Sequence, residues 1–326
     1  MNHNGFRPPP GLDNPHVQTV LGQLLTGARF CRPSRERHVR LADDDTIVLH
    51  DSVPFGWTPR DRVALLLHGL GGCATSPHCG RVGRRLLDAG LRVVRMDLRG
   101  SGRGAGLARR RYHGGISEDV RAAAAAIRHW APEAPLVLIG FSLGGNIALK
   151  LAGEAADQPG PGLERVAVVG PPIDMARCSA LLADPVNRIY NAYFVKVLMR
   201  QHEERRGLIP DLPKVEFSEK MTLRTWDERV VAPQWGFDGA DDYYRRSSAL
   251  PLIPNIQVPT LILTARDDPI IAVEPFEELK APPHVEVRIE RFGGHLGFVG
   301  LHPVGGLRWA DQCLVQWVLR SSPVRT

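Results

Sequence analysis

Lysine is scarce in this chain. Of its 41 basic residues only five are lysines (Lys150, Lys196, Lys214, Lys220 and Lys280). Such an arginine bias looks like genomic base composition rather than selection for phosphate contacts, so the net charge of +6 does not by itself argue for a nucleic-acid or lipid partner. The one dense run, Arg109-Arg110-Arg111, lacks the interleaved aromatics of a single-strand binding surface, and a solvated loop is the expectation. No nucleic-acid partner is predicted. Long apolar runs are missing too: nothing approaches the roughly 18 residues of a membrane-spanning helix, and the first ten residues lack the charged and apolar regions of a secretory signal. The cytoplasm is the expected compartment. Five scattered cysteines (Cys31, Cys73, Cys79, Cys178 and Cys313) form no disulfide framework and suit a reducing environment. Cys73, His78 and Cys79 lie close in sequence, but no second pair completes a tetrahedral site, so no metal is expected.

What the chain does have is a strand, a sharp turn and a helix around Gly140-Phe141-Ser142-Leu143-Gly144-Gly145. The apolar run Leu136-Val137-Leu138-Ile139 precedes it and a helical pattern follows. G-x-S-x-G arises by accident in roughly one such chain in ten, but this flanking context is that of a nucleophile elbow. Glycines two before and two after the serine let strand and helix approach closely and push its Oγ into the open. Ser142 is the candidate nucleophile.

The remaining pattern predicts an α/β protein with a mostly parallel sheet. Residues 1–35 read as an N-terminal arm rich in Pro, Gly and Asn, with a short helix starting at Pro15 after Asn14. Two short runs between Arg37 and Val53 predict a hairpin. Val63-Ala64-Leu65-Leu66-Leu67 is continuously apolar, as a strand covered on both faces should be. It runs into His68-Gly69-Leu70-Gly71-Gly72, whose Leu70 amide, with that of Leu143, is the candidate oxyanion hole. His68 reads first as a bridge between loop backbones and is carried, with His113, as a candidate substrate-binding residue. A further strand ends at Leu98, and the glycines from Gly100 to Gly106 loosely match a dinucleotide fingerprint. More glycine and arginine follow instead of a helix, so a mobile loop beside the site is the expectation.

Between 173 and 250 the β-α alternation lapses. Nine of the 21 aromatics fall there, more than a small separate core needs, which predicts a cap roofing an apolar pocket. The α/β core is assigned to 36–172 and 251–326. Two strands near its end lead into Asp267-Asp268-Pro269 and Gly293-Gly294-His295. The order Ser, Asp, His at three strand ends that share one sheet edge supports a triad of Ser142, Asp268 and His295. Asp267 is the alternative acid, or a residue that holds the loop.

The set Asn14-Pro15-His16-Val17-Gln18-Thr19, His68-Gly69-Leu70, Tyr112-His113-Gly114-Gly115, Gly140 to Asn146, Asp267-Asp268-Pro269 and Gly293 to Phe298 resembles the YheT-type hydrolases of the α/β-hydrolase superfamily, over nearly the whole chain. Two departures, Arg99-Gly100-Ser101-Gly102-Arg103 and the Gly114 of Tyr112-His113-Gly114-Gly115, fall in the loop beside the pocket. The resemblance implies a serine esterase without a cofactor. Its substrate would be a small-molecule ester, and the aromatic cap favours a medium or long acyl chain. An acyltransferase or thioesterase would use the same residues, and an idle fold that binds a ligand is the rival of another class. Weak association with an anionic membrane surface is compatible with any of these.

Overall fold

The computed structural model describes residues 5–25, 30–155, 162–216, 221–301 and 306–320. Strands β1 (Arg35–Arg40), β2 (Thr46–Ser52), β3 (Val63–Leu67), β4 (Arg92–Asp97), β5 (Leu136–Phe141), β6 (Leu163–Val169), β7 (Thr260–Ala265) and β8 (Val285–Glu290) form one sheet in the order β1-β2-β4-β3-β5-β6-β7-β8. The β1–β2 hairpin and the β2–β4 pairing are antiparallel; β4, β3, β5, β6, β7 and β8 run parallel. The continuous apolar runs are explained by what covers them. Val63, Leu65 and Leu67 of β3 face one core and Ala64 and Leu66 the other, all fully buried. Each large side chain so placed contributes about 1.5–3 kcal/mol.

Helices α1 (Pro15–Leu24), α2 (Pro77–Asp88), α3 (Ser117–Trp130) and α4 (Leu143–Glu154) come in the first half of the chain. Asn14 caps α1 by accepting from the amides of His16 and Val17, with Pro15 at the first helical position, where its missing N–H costs nothing. Glu118 and Asp119 open α3 and Arg128 and His129 close it, each at the favourable end of the helix dipole. Ser117 does not cap α3: its hydroxyl donates to Glu154 at the end of α4, 2.6 Å away.

The segment between β6 and β7 is helical: α5 (Met175–Ala183), α6 (Arg188–Arg206), α7 (Leu223–Trp226), a π-helical turn (Asp227–Val231), α8 (Ala232–Trp235) and α9 (Ala240–Ser247). Trp226, Tyr243 and Tyr244 are buried in the same core as the outward residues of β3 and β5, so this insertion shares the core of the sheet face it covers. Phe217 and the Pro159–Pro161 loop lie outside the described residues. The chain closes with α10 (Glu274–Glu277) and α11 (Trp309–Leu319), which packs beside α2 and carries the buried Trp309, Cys313 and Trp317.

Two sequence expectations need correcting. The arginine run is not a solvated loop: Arg109 is exposed, but Arg110 pairs with Asp43 and lies over the Trp235 ring, and Arg111 is buried and donates to Gln201 of α6. The insertion covers what the local sequence would leave in water. The glycines after β4, expected as a mobile loop beside the site, close onto a carboxylate. Asp97 accepts from the amides of Ala74 and Arg103 at 2.6 and 3.0 Å, and a Cβ on Gly102 would collide with it. All five cysteines are free. Among the described residues no helix is long and apolar enough to cross a membrane, and no group of three or more His, Cys, Asp or Glu could hold a metal ion.

Candidate active site

Ser142 sits between β5 and α4 with φ 52° and ψ −123°, a conformation that costs a non-glycine residue about 1–3 kcal/mol. The turn tolerates it because it is fixed on both sides. The Ser142 amide donates to Val169 of β6 at 2.9 Å, and a Cβ on Gly140 or Gly144 would overlap the backbone of Gly144 or His68. Only glycine lets the strand, the helix and the loop after β3 come so near. Asn146, one turn into α4 and fully buried, donates to the carbonyls of Gly114 and Ser247 and accepts from the Ala249 amide, each at 2.8–2.9 Å. The start of α4 is thereby bound to the segment leading to α3 and to the end of the insertion.

Parallel register brings the other groups here. Ala265 is level with Glu290, so the loops after β7 and β8 leave the sheet side by side. Asp268 Oδ1 accepts from the amides of Ile270 and Ile271 at 2.8 and 3.0 Å, which leaves Oδ2 to accept from His295 Nδ1 at 2.9 Å. His295 Nε2 lies 3.0 Å from Ser142 Oγ. Asp268 and His295 are both buried. Asp267 instead accepts from the Gly294 amide at 2.9 Å, and burial raises its carboxyl above the ordinary value. It holds the histidine loop and does not touch the histidine ring.

Leu67 is level with Gly140 across β3 and β5, which sets the loop after β3 against the serine turn. A Cβ on Gly69 would be 3.1 Å from the Ser142 Cβ. Among the described residues nothing accepts from the amides of Leu70 or Leu143, although Gly71 next door is bonded twice: its N–H donates to Tyr112 Oη at 2.7 Å, and its carbonyl accepts from Gln201 Nε2 at 2.8 Å. His68 borders the cleft, but both ring nitrogens are engaged. Nε2 accepts from the Leu98 amide at 3.1 Å, so the proton is on Nδ1, which donates to the Gly69 carbonyl at 2.8 Å. Burial lowers its pKa to about 4. His113 lines neither cavity at Ser142. Its ring is enclosed by Trp235, Phe237 and Tyr243 of the insertion, and burial lowers its pKa to about 3.

Helix α1 supplies residues whose role the sequence pattern left open. Thr19 Oγ1 accepts from the His295 amide at 2.8 Å, and the Gln18 side chain exchanges hydrogen bonds with the Val299 backbone. A Cβ on Gly294 or Gly297 would strike the α1 backbone, so the glycines around His295 serve this docking. Between α1 and α6 runs an open cleft of about 400 Å³, with Val20 and Leu24 on one wall, Ile189, Tyr193 and Phe194 on the other, and Ser142 and His295 also lining it.

Residues 58–286, more than half of the chain, match the family profile Hydrolase_4, described as serine aminopeptidase, S33. The chain belongs to the Hydrolase_4 family. It is 29% identical over 321 residues, 96% of this chain and 92% of the relative, to YheT of Escherichia coli strain K12, named as a presumed esterase. It is 27% identical over 245 residues to phospholipase ABHD3 of Mus musculus, covering 73% of this chain and 59% of that protein. The Pyrococcus furiosus esterase Pf2001 superposes with a TM-score of 0.57 at 17% identity, covering 87% of this chain and 91% of that one. The Hydrolase_4 chain thus has the α/β-hydrolase fold, as the resemblance to YheT-type hydrolases implied.

Proposed function

We propose that this Hydrolase_4 protein hydrolyses carboxylic esters through an acyl-Ser142 intermediate. The observation that carries the reading is the unbroken chain from Ser142 Oγ to His295 Nε2 at 3.0 Å and from His295 Nδ1 to Asp268 Oδ2 at 2.9 Å. With Nδ1–H held by Asp268, the Nε2 lone pair faces the serine, takes its proton as Oγ attacks the ester carbon, and returns that proton to the departing alkoxide. Water, deprotonated by the same nitrogen, then releases the acid and restores the serine. The unbonded amides of Leu70 and Leu143 are the donors for the oxyanion, each worth on the order of 3 kcal/mol in the transition state. No metal or cofactor enters this scheme.

The roughly 400 Å³ of mostly apolar cleft is of the size that holds a drug-sized ligand, and the likeness to a phospholipase supports a medium or long apolar chain on the substrate. The five free thiols favour a reducing, cytoplasmic setting. The test is labelling by a fluorophosphonate probe, with wild type compared to Ser142→Ala and His295→Ala, followed by p-nitrophenyl esters of graded chain length. Labelling lost in both variants and a chain-length optimum are expected. A folded wild type that neither labels nor cleaves any ester overturns the reading.

A further inference from the structure

Ser142, Leu70, Phe194 and Ile270 border a second cavity besides the open cleft. This inner chamber is small, about 80 Å³. Its sheet side is formed by Ser142, Leu70 and Leu143, and its cap side is mostly apolar, with one polar group set into it: Ser179 of α5, Tyr244 of α9 and Asp227 at the start of the π-helical turn. Tyr244 Oη donates to Asp227 Oδ2 at 2.7 Å and accepts from Ser179 Oγ at 3.1 Å. The phenol has one proton to give and gives it to Oδ2. Among the described residues nothing bonds Oδ1.

Among the described residues this carboxyl forms no ion pair. Arg224, on the preceding turn, is turned to Asp241 through two bonds of 2.8 Å. Burial pushes the Asp227 pKa up to about 7, so both the neutral and the charged form are populated near neutrality. A buried acid without an ion pair is a net cost that an apolar side chain of similar size would avoid. The helix also widens by a residue at this point, a device that re-aims side chains and recurs at functional sites.

We infer that the inner chamber receives the shorter arm of the ester cleaved at Ser142 and that Asp227 is the specificity residue for a hydroxyl carried by that arm. The inference rests on ester hydrolysis at Ser142. A hydroxyl both donates and accepts, so it satisfies Oδ1 whether or not the acid is protonated. An anion would meet a carboxyl with no counter-charge, and a plain alkyl chain leaves Oδ1 unpaired. The chamber admits only a handful of heavy atoms, while the open cleft takes the long apolar arm.

The experiment compares kcat/KM within two pairs of esters: propyl octanoate against 3-hydroxypropyl octanoate, and octyl butanoate against octyl 4-hydroxybutanoate. In one pair the hydroxylated ester should win by about tenfold or more, and which pair it is assigns the chamber to the alcohol or to the acyl side. Asp227→Leu should bring that ratio to about one, and Asp227→Asn should keep a severalfold preference. Because each ratio is taken within one preparation, partial misfolding cancels; if Asp227→Leu does not fold, the wild-type and Asp227→Asn ratios decide. Equal rates within both pairs, or an unchanged ratio in Asp227→Leu, overturn the inference while leaving the esterase standing if p-nitrophenyl esters are cleaved. Failure on p-nitrophenyl esters as well removes both readings.

Discussion

The amide of His295 donates to Thr19 Oγ1 at 2.8 Å, joining residues 276 positions apart in sequence. Thr19 in turn donates to the Pro15 carbonyl within α1, so the hydroxyl is oriented with its lone pairs toward the histidine loop. Thr19→Val keeps the shape and removes the acceptor, leaving a buried amide unpaired at a cost of about 1–3 kcal/mol. Hydrolysis of a p-nitrophenyl ester should fall about tenfold in kcat/KM, with a lowered Tm, and Thr19→Ser should restore most of both.

The two neighbouring acids should separate cleanly. Asp268→Asn deprives His295 Nδ1 of its acceptor and favours the wrong tautomer, for which a loss of about 10⁴ in kcat is expected. Asp267→Asn changes only the support of the Gly294 amide, so kcat should fall by less than about tenfold. Steady-state kinetics on both variants, with circular dichroism to verify folding, checks the assignment.

Asn146 makes three buried hydrogen bonds to two separate backbone segments, one at Gly114 and one at Ser247 and Ala249. Asn146→Ala leaves two carbonyls and an amide without their partner, and should lower the free energy of unfolding by about 2–4 kcal/mol. Urea denaturation is the measurement, and the loss should appear in the midpoint rather than the slope.

Acid should destabilise the fold before any carboxylate of ordinary pKa titrates. The pKa values of His68 and His113 are about 4 and about 3 in the fold, below the usual value near 6.5. Between those values the unfolded chain binds protons that the native state refuses, so stability is full above about pH 6.5 and declines toward pH 4. For His68 alone the loss amounts to roughly 3 kcal/mol. Denaturant midpoints measured from pH 8 to pH 4 should fall on this schedule. Asp227 has the opposite sign: its raised pKa contributes stability below pH 4 that is lost as pH rises through about 7. Asp227→Asn should therefore gain on wild type above neutrality, where its partner Tyr244 stays neutral.

The parts legible in the sequence are those whose cause is local. β3 and β5 announce themselves because both of their faces are covered, and the serine turn because only glycines allow its approach to α4. Ser142, Asp268 and His295 could be placed together because each follows a strand of one parallel sheet. What stayed hidden depends on surfaces far away in the chain. Arg111 reads as solvent-exposed until α6 covers it, and His113 reads as pocket-lining until Trp235 and Phe237 enclose it. Thr19 and Gln18 stood in a motif whose purpose no periodicity reports, since their partners lie 276 and 281 residues away. Asp227 carried no signal beyond being an acid in an aromatic-rich segment.

Gln201 of α6 holds the carbonyl of Gly71 and Tyr112 holds its amide, one residue beyond the Leu70 amide. The roof of the cleft is therefore fastened to the loop proposed to stabilise the oxyanion. A long chain that wedges α6 outward pulls on the same residue, and by reciprocity a charge that draws Leu70 inward pulls the helix down. Fit in the cleft and stabilisation of the oxyanion become one mechanical variable, so chain length should register in kcat as well as in KM.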